Sequence, residues 1–167
     1  MNDRNPYAPP NAEVRDPVPV FSGDLASRAS RLGASIVDTI VTLLTILPLL
    51  LFTDYFERAM AGTISPFEEL GASILTFALF SAANSYLMAT AGQTIGKHML
   101  EIRVVDATTG RVPTLTRQLG LRYGVMWFVA QIPGVGILLG LIDTLMIFRS
   151  DRRCLHDHLA GTKVVTG

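Results

Sequence analysis

The sequence predicts an all-α polytopic membrane protein. It has two full transmembrane helices and a third apolar helical region broken at Pro133–Gly136, either a hairpin or one tilted span. Three observations carry this prediction. The 167 residues are 49% hydrophobic and only 17% charged, against about 25% in soluble domains. The charge deficit is confined to residues 33–52, 70–91 and 123–148, which hold only Asp38 and Asp143 among them. A membrane span needs about 20 apolar residues, and these stretches supply 20, 22 and 26. Mean hydropathy is +0.38.

The elements follow in order. Residues 1–24, with Pro6, Pro9, Pro10, Pro17 and Pro19, cannot bury enough surface to fold alone and read as a disordered tail. The rest of the chain, residues 25–166, reads as one transmembrane domain. The first span runs from about Gly33 to Phe52, with Pro48 near its far end. No cleavable leader precedes it, so it is expected to stay in place. An acidic loop, 53–69, leads to a second span over about 70–91. The polar segment 92–122 contains the alternating, β-branched run Glu101–Asp106 and then the turn Ala107-Thr-Thr-Gly110, a strand signal. An amphipathic helix from Thr114 turns wholly apolar before the Pro133-Gly134-Val135-Gly136 break. A second apolar helix follows, and the tail ends in a strand candidate at 162–166. The two strands are expected to form a small cytoplasmic β element.

Lysine and arginine counts set the orientation. The N-terminal segment has four, loop 53–69 one, loop 92–122 five and the tail four. The N-terminus and loop 92–122 are therefore expected in the cytoplasm, and the protein in the plasma (inner) membrane. A hairpin keeps the C-terminus cytoplasmic too, and lets strand 101–106 meet strand 162–166. A single span forbids that meeting.

Ionisable groups in hydrocarbon cost about 2.5–3.5 kcal/mol for Asp at a span centre, so Asp38 and Asp143 mark places where protein or water replaces lipid. Arg31, Ser35, Asp38, Thr42 and Thr45 share one helical face. Arg31 and Asp38 are roughly 10.5 Å apart along that face, too far for a firm direct pair. Asp38 is either a cation or proton site or a buried acid that fixes packing. Asp143 can pair with Arg31, join Asp38 in a two-carboxylate site, or lie at the interface near Arg149 and Arg152. In the second span Asn84 is the one candidate ligand, amid small-xxx-small packing spacings.

Other chemistries fail on spacing. Gly92-Gln-Thr-Ile-Gly96-Lys97 is not a phosphate loop: the first glycine position is Ala91 and the Ser/Thr position is His98. Cys154, His156 and His158 lack the second ligand pair that a zinc site needs, so no metal is expected. With one cysteine there is no internal disulfide, and zero net charge gives no nucleic-acid footprint. No catalytic constellation and no cofactor motif is present, so an enzyme is not expected.

Three ordered motifs resemble the RDD family of small membrane proteins, named for one arginine and two aspartates. They are Ser27-Arg-Ala-Ser-Arg31-Leu-Gly-Ala-Ser-Ile-Val-Asp38, then Gly92-Gln-Thr-Ile-Gly96-Lys97 with Ile102-Arg-Val-Val-Asp106, then Leu155-His156-Asp157 with Ala160-Gly161-Thr162. The resemblance implies that Arg31 and Asp38 are two of the named residues and that the third is Asp143 or Asp157. It also implies a kinship with transporters, some linked to cation/proton exchange. Two functions stay open: an oligomer that transports a small cation or proton, and a non-transporting membrane scaffold or assembly factor. The expected partners are the lipid bilayer and either further copies of the chain or another membrane protein.

Overall fold

A computed structural model describes residues 19–167. It is mostly helical, with one two-stranded sheet. Helix α1 spans Arg28–Phe52. It begins about five residues before the apolar run because the Ser27 hydroxyl caps it, accepting from the Ser30 N–H at 3.0 Å. Such a cap satisfies a donor that the first helical turn leaves unpaired. A short helix α2, Tyr55–Met60, occupies the acidic loop. Helix α3, Pro66–Ala91, opens on a capping box between Ser65 and Glu68, so it too starts ahead of its apolar run.

Helix α3 stops at Gly92, whose φ of +67° suits glycine. A Cβ there would also overlap the Val104 carbonyl oxygen. The short helix α4, Ile95–Met99, follows. Strand β1, Ile102–Asp106, pairs antiparallel with β2, Thr162–Thr166, in the register Ile102 to Thr166 through Asp106 to Thr162. The β element read from the sequence is therefore present.

Between the strands, Arg117–Gly124 winds as a π-helix and continues as α5, Val125–Ala130. The chain breaks at Gln131–Gly134 and resumes as α6, Val135–Leu145, with a 3-10 turn over Met146–Phe148. Helices α5 and α6 pack on each other across the break. The Arg28 Nε donates to the Ile147 carbonyl at 3.2 Å, so the region after α6 returns to the start of α1. Helix α7, Leu155–Leu159, then leads into β2.

The fully buried apolar core sits at the sheet. Ala26, Ala34, Ile102, Val104 and Val164 pack together, with Leu100 against them. The long helices are inside out by comparison. None of the most apolar window of α1 is buried, and Ile36, Leu44, Leu51 and Ile137 are 61%, 62%, 69% and 74% exposed. Water penalises that much apolar surface, whereas lipid accommodates it. Helices α1 and α3 are each long and apolar enough to cross a membrane.

Of the expected disordered tail, residues 1–18 lie outside the described residues. Residues 19–25, however, run along the sheet: Val20 bridges Arg111 and Leu25 bridges Val165. The Asp24 carbonyl accepts from the Thr166 N–H at 2.9 Å. The free edge of β2 and the Gly110–Arg111 turn recruit this segment, a partnership that its own composition does not reveal.

Candidate functional site

Three ionisable clusters lie around one cavity of about 400 Å³, lined by α1, α6 and the segments beside them. The first centres on Asp157. Its carboxylate is fully buried and takes charge-assisted hydrogen bonds from Arg31 and Arg122. It also accepts from the Cys154 N–H at 3.1 Å and the Thr162 hydroxyl at 3.2 Å. Arg31 donates as well to the Arg152 carbonyl. Burial pushes the Asp157 carboxyl upward, but the charge of Arg122, with that of Arg31, holds it well below the usual carboxylate range. A carboxylate so fully engaged stays ionised and acts as a three-way tie among α1, the π-helix and α7.

The second cluster centres on Asp38. Its oxygens accept from the Thr94 hydroxyl at 2.6 Å and the Gly96 N–H at 2.7 Å. The Lys97 ammonium lies 3.7 Å away and donates to the Tyr123 hydroxyl at 3.1 Å. Asp38 thus docks α4 onto α1. The docking needs Gly96, because a Cβ there would overlap the Ala34 carbonyl oxygen. Asn84 serves the same joint. Its carbonyl oxygen accepts from the Ile95 N–H at 2.8 Å, and its amide donates to the Phe80 carbonyl at 2.9 Å. It is buried and satisfied, a capping group with no free ligand atom directed at the cavity.

The third cluster joins Asp143 on α6 to His156 on α7. The carboxylate accepts from the His156 N–H at 2.9 Å and lies 2.8 Å from the ring Nδ1. Cys154 is beside them: one ligand atom from each of Asp143, Cys154 and His156 falls within 4.8 Å of the others. Burial and the Arg122 charge push the His156 imidazole down from its ordinary value. Burial pushes the Cys154 thiol up to about 11, against the pull of Arg31.

The candidate residues therefore come together, but with different partners. Arg31 meets Asp157, not Asp143. Asp38 and Asp143 line the same cavity, yet each carboxylate has its own donors and they share no site. The pairings of Asp143 with Arg31 or with an interfacial arginine give way to His156, because the turn before α7 brings that residue against α6. Of the motif glycines, Gly92 and Gly96 sit at the crowded joints described above. Gly161, at φ +60°, offers its carbonyl to Arg117 at 3.2 Å. Arg122 is the functional-looking residue that sequence reasoning counted only as a loop charge. Its signal was its place at the edge of the third apolar stretch. The π-helix, with its wider turn, puts Gln118 and Arg122 on one buried side.

A family model described as RDD family matches residues 25–161. No curated protein and no solved structure matches the chain.

Proposed function

Since the chain belongs to the RDD family, a membrane protein family, we propose that it moves a small cation or proton by way of the acids on this cavity and does so as an oligomer. The observation that carries this reading is the placement of Asp38 and Asp143 on the lining of one cavity, together with Lys97 and His156. Asp38 lies ten residues into α1, roughly 15 Å along its axis. A volume of about 400 Å³ holds on the order of ten waters at ~30 Å³ each. Ionisable side chains that line a cavity between membrane helices mark ion and proton paths. Two or three spans enclose too little on their own, so further copies of the chain would complete the path.

The N-terminus and C-terminus both belong in the cytoplasm of a cell whose inner membrane holds the protein. The lysine and arginine bias supports this, and so does the pairing of β1 with β2, which requires loop 92–122 and the tail on one side. The α5–α6 region is then a bent hairpin that enters the membrane and returns. Neither this reading nor its rival assigns a reaction, and the chain is taken as no enzyme.

The rival is a membrane scaffold or assembly factor. Its favouring observation is that Asp38 and Asp157 are saturated by internal donors, as packing acids would be. Cation-driven pH change in proteoliposomes separates the two. Wild-type flux that falls in Asp38→Asn supports transport with Asp38 as the coupling acid. Equal flux in both removes Asp38 from that role, and no flux from folded wild type supports the scaffold.

A further inference from the structure

We propose that Asp143, Cys154 and His156 form a binding site for a soft or borderline divalent cation, with Zn²⁺ as the fitting example. The site goes beyond the transport reading and does not require it.

The donor set is the first argument. Thiolate, imidazole and carboxylate are the three side chains that zinc selects, at about 2.3, 2.0–2.1 and 2.0–2.2 Å. The three groups come from two elements, α6 and the start of α7, and already converge within 4.8 Å. Tetrahedral ligands at those bond lengths stand roughly 3.3–3.7 Å apart, so contraction by about an ångström closes the set. His156 Nδ1 and Asp143 are in contact now at 2.8 Å through a shared hydrogen. A metal taking the place of that hydrogen needs only a slight opening there.

The surroundings are the second argument. Metal-bound imidazoles commonly hold a carboxylate at their other ring nitrogen. The His156 Nε2 lies 3.9 Å from Asp157 Oδ1, outside hydrogen-bond range, so that carboxylate acts on the ring through its charge. The Arg31 guanidinium lies 3.5 Å from the Cys154 sulfur, placed to donate to a thiolate once metal displaces the thiol proton. Access is the third. All three residues line the 400 Å³ cavity, so an ion can reach them and a water can fill the fourth position. The step balances: Zn²⁺ arrives, the Cys154 proton leaves to water, the shared hydrogen leaves Nδ1 as the neutral imidazole takes its proton on Nε2 instead, and the carboxylate and thiolate together neutralise the ion.

The experiment uses the full chain in nanodiscs, with Zn²⁺ or Co²⁺ as the only added probe. Saturable Zn²⁺ binding at one equivalent is expected in competition with a chromophoric chelator. Cys154→Ser should weaken it at least tenfold, and His158→Gln, whose ring faces Asp151 at 3.3 Å, should leave it unchanged. Co²⁺ should give a thiolate charge-transfer band that Cys154→Ser abolishes. Should that variant misfold, wild type alone decides: Cys154 is the chain's one cysteine, and Zn²⁺ should slow its alkylation at least tenfold. No saturable Zn²⁺ binding by wild type, unchanged affinity in folded Cys154→Ser, or alkylation indifferent to Zn²⁺ would overturn the site. A protein that carries flux but binds no Zn²⁺ refutes this inference and leaves the transport reading standing.

Discussion

Asp157→Asn is the substitution whose consequence the structure specifies most fully. The asparagine is nearly isosteric and keeps an acceptor for the Cys154 N–H. What it removes is the one negative charge facing both Arg31 and Arg122, whose side chains are 7% and 2% exposed. Two guanidinium groups would then be buried without their counter-ion. Removing one partner of a buried pair costs about 3–5 kcal/mol. For a chain of 150–250 residues, each kcal/mol moves the melting midpoint by about 2–4 °C, so a drop on the order of 10 °C is expected. The assay is thermal unfolding in detergent, followed by tryptophan fluorescence: Trp127 packs 5.3 Å from Phe77 and donates to the Ser73 hydroxyl at 3.0 Å. A double substitution, Asp157→Asn with Arg122→Met, should recover part of the loss, because it removes one of the orphaned charges. An Asp157→Asn protein that melts within 2 °C of wild type, a margin of about 1 kcal/mol at most, would refute the tie.

Three further outcomes follow from other joints. Gly96→Ala pushes a methyl group into the Ala34 carbonyl and toward the Asp38 carboxylate, 2.9 Å away; overpacking of this kind costs about 1–3 kcal/mol and should show as a lower midpoint in the same melt. Asp106 carries a pH signature: the Thr109 N–H, the Arg117 guanidinium at 2.7 Å and the Thr108 N–H hold its carboxyl down to about 2, below an unfolded value of about 3.9. A depressed folded value means that its stabilisation is complete above about pH 4 and is lost as the pH falls toward 2. The stability gap between wild type and Asp106→Asn should therefore shrink over that window, and a gap constant from pH 6 to pH 2 would contradict the assignment. Val104 and Val164 are directly opposed in the sheet, so cysteines at both positions in a Cys154→Ser background should oxidise to a disulfide in membranes; strands on opposite sides of the bilayer could not.

Sequence and structure agree where the chemistry is local or periodic. Helices α1 and α3 are legible as the apolar runs 33–52 and 70–91, with Asp38 as their one charge, and β1 and β2 as β-branched alternation beside turn signals. The helix starts were less so, because a run of hydropathy begins where apolar residues begin, whereas the helices begin at their caps, Ser27 and Ser65. The helical turn α2 was lost in a loop whose acids dominated its reading. Pairings were the least legible. Arg31 and Asp157 are 126 positions apart, and no helical or strand period relates them. The polar stripe on α1 correctly marked Arg31 and Asp38 as facing protein, yet it could not tell that one faces α7 and the other α4. Likewise no spacing places Asp143 beside Cys154 and His156, because it arrives from another helix.

The central claim is that Asp143, on the cavity, does work distinct from that of Asp157, which ties α1, the π-helix and α7 together. Proton flux into proteoliposomes containing Asp143→Asn, matched to wild type for folded protein, tests it most directly. The account predicts a variant that melts close to wild type and carries little or none of its flux. Flux equal to wild type in folded Asp143→Asn, or none from wild type itself, would contradict it.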